Sequence, residues 1–328
     1  MRSFHDAAAF AAGLVLASLA AASPALGVAL SVLTYNVAGL PEGLSSSHPQ
    51  ANHPQISPLL NAFDLVAVQE DFFYHHLLTP SLTHPYQSVK DTNGGTYGVA
   101  SGDGLNTFSR TPFTDFTRVT WNDCFGVLTN GSDCIAPKGF SYERHEVAPG
   151  VFLDVYNLHT DADGAPEDLA ARASNVRQVY QAILERSGDA AVLLLGDTNS
   201  RCTRAADVLP EMLAATGLTD VWLELERGGV VPEVGPALQD CGDPSAGTCE
   251  RVDKIFYRSS AALRMEALDY DVPRALFSDP AGVPLSDHDP VHALFELTVV
   301  PEPGTGALLA LGLLALASGA RAPRSREA

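Results

Sequence analysis

The stretch "LSDHDPV" at residues 285–291 sets Asp287, His288 and Asp289 between Leu285 and an apolar run that begins at Val291. Six more polar side chains interrupt apolar runs elsewhere: Asn36 in "LTYNVAGLP", Glu70 in "VAVQEDF", His159 in "YNLHTD", Asp197 and Asn199 in "LLGDTNS", and Asp253 in "RVDKIFY". Carboxylate and amide oxygens without a thiolate are the donors a hard divalent cation takes, its remaining positions going to water and phosphate. An imidazole titrates near neutral pH and can move a proton once a carboxylate on its other nitrogen fixes the tautomer. Each segment also has a plain reading. "SDHDPV" could be a turn before an edge strand, "LLLGDTNS" a buried strand and its turn, Glu70 a solvated strand end, and His159 a satisfied core histidine. Asp253 could simply pair with Arg251 or Lys254.

The elements that must position these groups follow from hydrophobic patterning. Strands are expected at 28–37, 64–70, 104–110, 113–121, 152–160, 190–197, 252–258 and 290–299. Helices are expected at 54–63, at 166–187 after the start signal "APED", and at 204–216. Strand runs outnumber helices and the helices fall between them, which predicts an α/β fold: a four-layer sandwich of two packed mixed β-sheets flanked by helices. Asn36, Glu70, His159, Asp197 and Asn199 stand at or just past the C-terminal ends of apolar runs, Asp253 opens one and His288 precedes another. Strand ends are where α/β proteins assemble sites.

The two ends of the chain read as processing signals rather than fold. Residues 1–29 have the early charge, apolar stretch and small-residue exit of a secretory signal peptide, with cleavage after Gly27 or Ala29. Residues 300–328 carry a Pro-Glu-Pro, a short apolar run and then Arg321, Arg324 and Arg326. That order resembles the PEP-CTERM sorting tail of exported bacterial proteins. The resemblance implies a membrane-bound sorting and processing enzyme as partner, and a secreted or cell-surface location with transient anchoring by the tail. Residues 30–299 then form one domain, with no internal repeat or linker to divide it. The formal net charge of the whole chain is −19. Setting the ends aside removes more basic than acidic groups, so the middle is more negative still. Such a surface repels bare polyanions, although bound divalent cations reverse the local sign. Cys124 with Cys134, and Cys241 with Cys249, bracket turn-rich stretches that disulfides could close, leaving Cys202 over.

Taken together, the six segments around Asn36, Glu70, His159, Asp197, Asp253 and His288 occur in the order found in the endonuclease/exonuclease/phosphatase superfamily. Gly196-Asp197-x-Asn199 and Ser286-Asp287-His288-x-Pro290 carry the most specific match. Within that superfamily the chain looks most like secreted sphingomyelinase-like phosphoesterases, given Tyr35-Asn36-Val37 and "CIAPKGF" (134–140). The resemblance implies Mg²⁺, or Mn²⁺ or another divalent cation, held by Glu70 with Asn36 and Asp287 beside it. It also implies His288 as the base that activates water, backed by Asp253. Asp197 and Asn199 would orient water and phosphate, and His159 would donate to a phosphoryl or leaving-group oxygen. Asp289 falls at the variable position of its motif and is left out of the site.

Three classes of function follow. The first is a phosphodiesterase acting on a lipid headgroup or related phosphoester, which would require approach to a membrane surface. For that approach the cluster Phe72, Phe73, Tyr74 is the available aromatic feature, with core packing as its alternative. The second is an extracellular nuclease, against which the acidic surface argues; of the arginines that could line a groove, Arg172 and Arg177 read as helix-surface charges. The third is a non-catalytic surface or matrix protein on the same scaffold.

Overall fold

The computed structural model describes residues 27–93, 102–235, 238 and 249–301. Residues 1–26 of the expected signal peptide, nearly all of the expected C-terminal tail and Cys241 therefore lie outside the described residues. In chain order the strands are β1 (Val28–Asn36), β2 (Leu65–Gln69), β3 (Tyr86–Gln87), β4 (Asn106–Ser109), β5 (Phe113–Thr120), β6 (Gly139–Ala148), β7 (Val151–His159), β8 (Ala191–Asp197), β9 (Thr219–Asp220), β10 (Asp253–Arg258), β11 (Leu263–Asp271) and β12 (Val291–Val299). The helices are α1 (Pro49–Leu59), α2 (His75–Leu78), α3 (Pro166–Arg186), α4 (Leu209–Thr216) and α5 (Val221–Arg227). Two six-stranded sheets form, ordered β11-β12-β1-β2-β4-β3 and β5-β6-β7-β8-β10-β9. Both are mixed, and helices cover their outer faces, as the patterning predicts.

Each sheet is built around one parallel pair joined by a helical crossover. β1 and β2 pair with Asn36 opposite Gln69, and β7 and β8 with His159 opposite Asp197. A repeat that the sequence does not reveal is therefore present in topology. Period-2 alternation sorts each strand between two environments. On β1, Leu33 and Tyr35 turn outward and cluster with Ile56 and Leu60 from the α1 segment. Leu30 and Val32 turn inward and join the core that holds Leu193, Leu195, Ile255, Ala293 and Phe295. The inner faces are apolar along most of their length and polar at one end. There Gln69 Nε2 donates to Asn157 Oδ1 across the sheets at 2.8 Å, which satisfies both buried amides.

Three expectations shift for identifiable reasons. α1 begins at Pro49 rather than near Pro54, because Pro49 takes the first-turn position where a missing N–H is harmless. α4 begins at Leu209 rather than 204, because Asp207 accepts from Arg201 N at 2.6 Å and Arg204 Nε at 2.7 Å, holding that stretch as turns. Arg172 is not a surface charge. Its side chain is buried on the inner stripe of α3 with Val176 and Val179, where Nη1 donates to the carbonyls of Asp161, Ala162 and Asp163 and Nε to Asp207 Oδ1. Arg177 does sit on the surface, paired with Glu211.

Cys124 and Cys134 form a disulfide, Cys249 is disulfide-bonded, and Cys202 is free and buried. Phe72 packs in the interior, against Gly104. No helix among the described residues is long and apolar enough to cross a membrane. At the polar end of the sandwich the strand termini converge; at the other, β1 enters opposite the end of β12, with Val28 facing Leu297.

Candidate active site

Two parallel pairs in facing sheets bring Asn36, Glu70, His159 and Asp197 to the same end. Antiparallel pairing of β10 with β8 sets Asp253 directly opposite Asp197, and the segment that enters β12 brings His288. The chain makes local concessions to do this. Glu70 and Asn199 have φ of 57° and 45°, left-handed conformations that non-glycine residues rarely adopt and that cluster at functional sites. Gly196, at φ 142°, lies so close to β7 that a Cβ there would come within 2.1 Å of the Leu158 carbonyl oxygen. This is why the turn reads Gly-Asp rather than any other residue followed by Asp.

The side chains interlock through Asn36. Its Nδ2 donates to Glu70 Oε1 and Asp197 Oδ2, each at 3.1 Å, while its Oδ1 accepts from Ala38 N at 3.0 Å. His159 Nε2 lies 3.4 Å from Asp197 Oδ2 and 3.9 Å from Glu70 Oε1. His288 Nδ1 is 2.8 Å from Asp253 Oδ2, and its Nε2 is 3.7 Å from Asp197 Oδ2. Asn199 is held at the mouth, its N–H on Asp197 Oδ1 at 2.9 Å and its Nδ2 on the Thr160 carbonyl at 3.3 Å. Seven of the eight residues singled out in the sequence are thus brought together. Asp287 is not within that hydrogen-bonded cluster: it is exposed, bonded to Ser46 and Ser286, and reaches the cluster through its field, which raises the Glu70 carboxyl.

Burial and charge set the protonation states. Desolvation pushes the Glu70 carboxyl up, against Lys138 and His288, which favour its charge. Burial opposes a charged His288, but Asp253 and Asp197 outweigh it and the ring stands well above its ordinary value. His159 moves the other way: burial, then the charge of Lys138, hold it well below the ordinary range, so it is a neutral imidazole with Nδ1 buried and without a hydrogen-bond partner. Lys138 is a site residue that sequence reasoning missed. It is buried, ion-paired with Asp133, and its charge acts on both Glu70 and Asp197. "CIAPKGF" contained it, but nothing in one sequence marks a lysine as buried.

The donor set fits a hard divalent cation. Asp197 is a buried carboxylate and Glu70 a partly exposed one, and their oxygens converge on one point now filled by an amide nitrogen. For Asn36 to offer an oxygen there its amide must turn over, giving up the bond from Ala38 N. Among the described residues, Asp197, Asp253 and His288 also offer three donor atoms within 4.8 Å of one another. The 2.8 Å contact between His288 Nδ1 and Asp253 is, however, that of an N–H···O hydrogen bond. It commits Nδ1 and Oδ2 to each other, and the convergence of Glu70 and Asp197 on Asn36 is the place that an ion would take.

No family model matches the chain. Sphingomyelinases of Mycobacterium bovis and Mycobacterium tuberculosis are 36% identical to it over 264 residues, covering 79% of this chain and 51% of theirs. The chain thus spans about half the length of the curated relatives it matches. Among solved structures, sphingomyelinase C from Streptomyces griseocarneus aligns at a TM-score of 0.56 and 23% identity, over 81% of this chain and 99% of that one. An endonuclease/exonuclease/phosphatase protein from Beutenbergia cavernae aligns at 0.57 and 18%, over 82% and 72%. A Staphylococcus aureus beta toxin mutant with bound magnesium ions aligns at 0.55 and 19%, over 81% and 99%. These structural likenesses establish a shared fold.

Proposed function

We propose that this chain is an exported, divalent-cation-dependent phosphodiesterase that hydrolyses the headgroup ester of sphingomyelin or a closely similar phosphoester. The observation that carries the reading is the His288–Asp253 pair, whose free Nε2 faces the carboxylate cluster of Glu70 and Asp197. Its substrate class rests on the identity shared with sphingomyelinases.

Hydrolysis needs a water in line with the leaving oxygen, a group to take its proton, and donors around the phosphoryl oxygens. Nδ1–H of His288 donates to Asp253, which fixes the tautomer; the neighbouring carboxylates favour the protonated ring, so Nε2 would be free to accept the proton of the attacking water once a bound cation offsets their charge. As the water oxygen bonds to phosphorus, the bond to the ceramide-type oxygen breaks, and that oxygen takes up a proton from solvent while the proton held on His288 is returned to water. Asp253 stabilises the imidazolium that forms. Asn199 and Asp197 orient the water and the phosphate, while His159, a neutral ring, and Lys138, a cation, face the developing negative charge. Glu70 would hold the cation, with Asn36 once its amide turns over and Asp287 from the rim; when bound, the ion polarises a phosphoryl oxygen and offsets carboxylate charge. Residues 1–29 would direct export, 30–299 carry catalysis, and 300–328 serve a membrane-bound processing enzyme.

The test is hydrolysis by the purified full chain, with Mg²⁺ or with EDTA, of sphingomyelin vesicles, bis-p-nitrophenyl phosphate and plasmid DNA. EDTA-sensitive release of phosphocholine from the vesicles is expected. Cleavage of DNA alone would make the chain a nuclease, and no EDTA-sensitive turnover on any substrate would remove the enzymatic reading.

A further inference from the structure

Asp289 stands at the position of the Ser-Asp-His-x-Pro segment that the sequence leaves open, and the reaction gives it no part. Its surroundings are nevertheless specific. The carboxylate is 13% exposed and lies between two guanidinium groups: Arg274 Nη1 donates to Oδ1, and Arg251 Nε is 3.6 Å from Oδ2. Arg251, 9% exposed, also donates from Nη1 to the Cys249 carbonyl at 3.0 Å and stands two residues ahead of Asp253. Arg274 belongs to the loop after β11, whose Phe277 carbonyl accepts from Leu285 N at 2.9 Å. One carboxylate therefore joins the residue next to His288, the approach to Asp253 and a third loop.

The ties on the segment are unevenly placed. Before His288 it is fastened several times. Leu285 O accepts from Ser47 Oγ at 3.1 Å and Asn52 Nδ2 at 2.8 Å, and Ser286 Oγ donates to Asn36 O at 2.7 Å. After His288 comes Asp289 and then Pro290, which has no N–H to donate, and the β12 ladder starts only at Val291. On that side the carboxylate of Asp289 supplies the fastening.

We propose that Asp289 is a positioning residue: bound between Arg251 and Arg274, it holds His288 and Asp253 at hydrogen-bonding separation without touching substrate. The inference rests on His288 being the base. Removing the carboxylate frees the far side of the His288 turn and withdraws the negative charge that faces Arg251 Nε.

The experiment compares Asp289→Asn and Asp289→Ala with the wild-type full chain in two measurements. The first is steady-state hydrolysis of bis-p-nitrophenyl phosphate with Mg²⁺. The second is the low-field proton resonance of His288 Nδ1–H, assigned by its absence in His288→Ala. Expected are a fall in kcat of roughly 10–100-fold, the range for losing a group that orients a functional side chain, a KM within about twofold, and loss or broadening of the resonance, with native circular dichroism. If Asp289→Ala does not fold, Asp289→Asn, which keeps an acceptor for Arg274, carries the test. An unchanged resonance, or a kcat within about twofold of wild type, overturns the proposal. The resonance does not depend on turnover, so it decides the point even if His288→Ala shows that the base lies elsewhere.

Discussion

The two helical crossovers, β1-α1-β2 and β7-α3-β8, bring their strand ends to the same place by the same plan and then use different chemistry. In the first, the paired residues at the ladder's end are both amides, Asn36 and Gln69. Gln69 is spent inward, on Thr34 and Asn157, and the charge is displaced one residue on, to Glu70, by a left-handed turn. In the second, the paired residues are His159 and Asp197, so charge and imidazole stand on the ladder itself. The His288–Asp253 pair bridges the two, one partner arriving from each sheet. Sheets fix where a side chain is offered; one residue of backbone conformation decides which side chain it is.

That division of labour can be broken at its seam first. His288→Ala should lower kcat by about 10²–10⁴, the usual loss for a general base, while calorimetric Mg²⁺ affinity and circular dichroism stay near wild type. Retained turnover would place proton transfer elsewhere. Glu70→Gln should do the converse, weakening Mg²⁺ binding on the order of 100-fold and with it the EDTA-sensitive rate. A Mg²⁺ titration unaltered by that change would move the ion to the second crossover.

Gly196→Ala probes the ladder position at which the first crossover has Val68 and the second tolerates no Cβ. A loss of about 2–4 kcal/mol is expected from overpacking and backbone strain, read as a lowered Tm; an unchanged Tm would mean β7 and β8 can part without penalty.

The smallest effect concerns Asp161, just past β7. Burial, then the neighbouring Asp133, push its carboxyl up to about 7. Between the ordinary carboxylate range and about pH 7 the folded chain keeps a proton that the unfolded chain has released, so stability falls as pH rises through that window. Asp161→Asn should remove this slope and be more stable than wild type at pH 8, with the difference vanishing near pH 4. Equal slopes in the two Tm profiles would refute it.

Much of this was legible in the sequence because strand ends and motif order coincide. Asn36, Glu70, His159, Asp197, Asn199, Asp253 and His288 could be named because residues that end or open apolar runs fall in the order of the superfamily resemblance, which carries most of the weight. What stayed hidden depended on contacts between distant segments. Lys138 is a surface residue by type and becomes part of the site only because Asp133 neutralises it in the interior. Arg172 looked like a helix-surface charge, yet its spacing from Asp168, Val176 and Val179 places it on the buried stripe; periodicity contained that signal, and residue type overrode it. β11 was passed over although Leu263, Met265 and Ala267 alternate with Arg264 and Glu266, because exposed charges on alternate positions lower the mean apolarity of an edge strand. Asp287 stands at the exposed rim rather than in the hydrogen-bonded cluster, on Ser46 and Ser286, and adjacency to His288 in the sequence does not reveal that difference.

The antiparallel entry of β1 against the exit of β12 has a practical corollary. Val28 and Leu297 are ladder partners, and the nine residues of β1 separate them from Asn36 by roughly 27 Å at the usual strand rise. A bead or a fluorescent label fastened at Val28 or Leu297 would hang from the rear of the sandwich, leaving the opposite end open for reactants to arrive unshadowed.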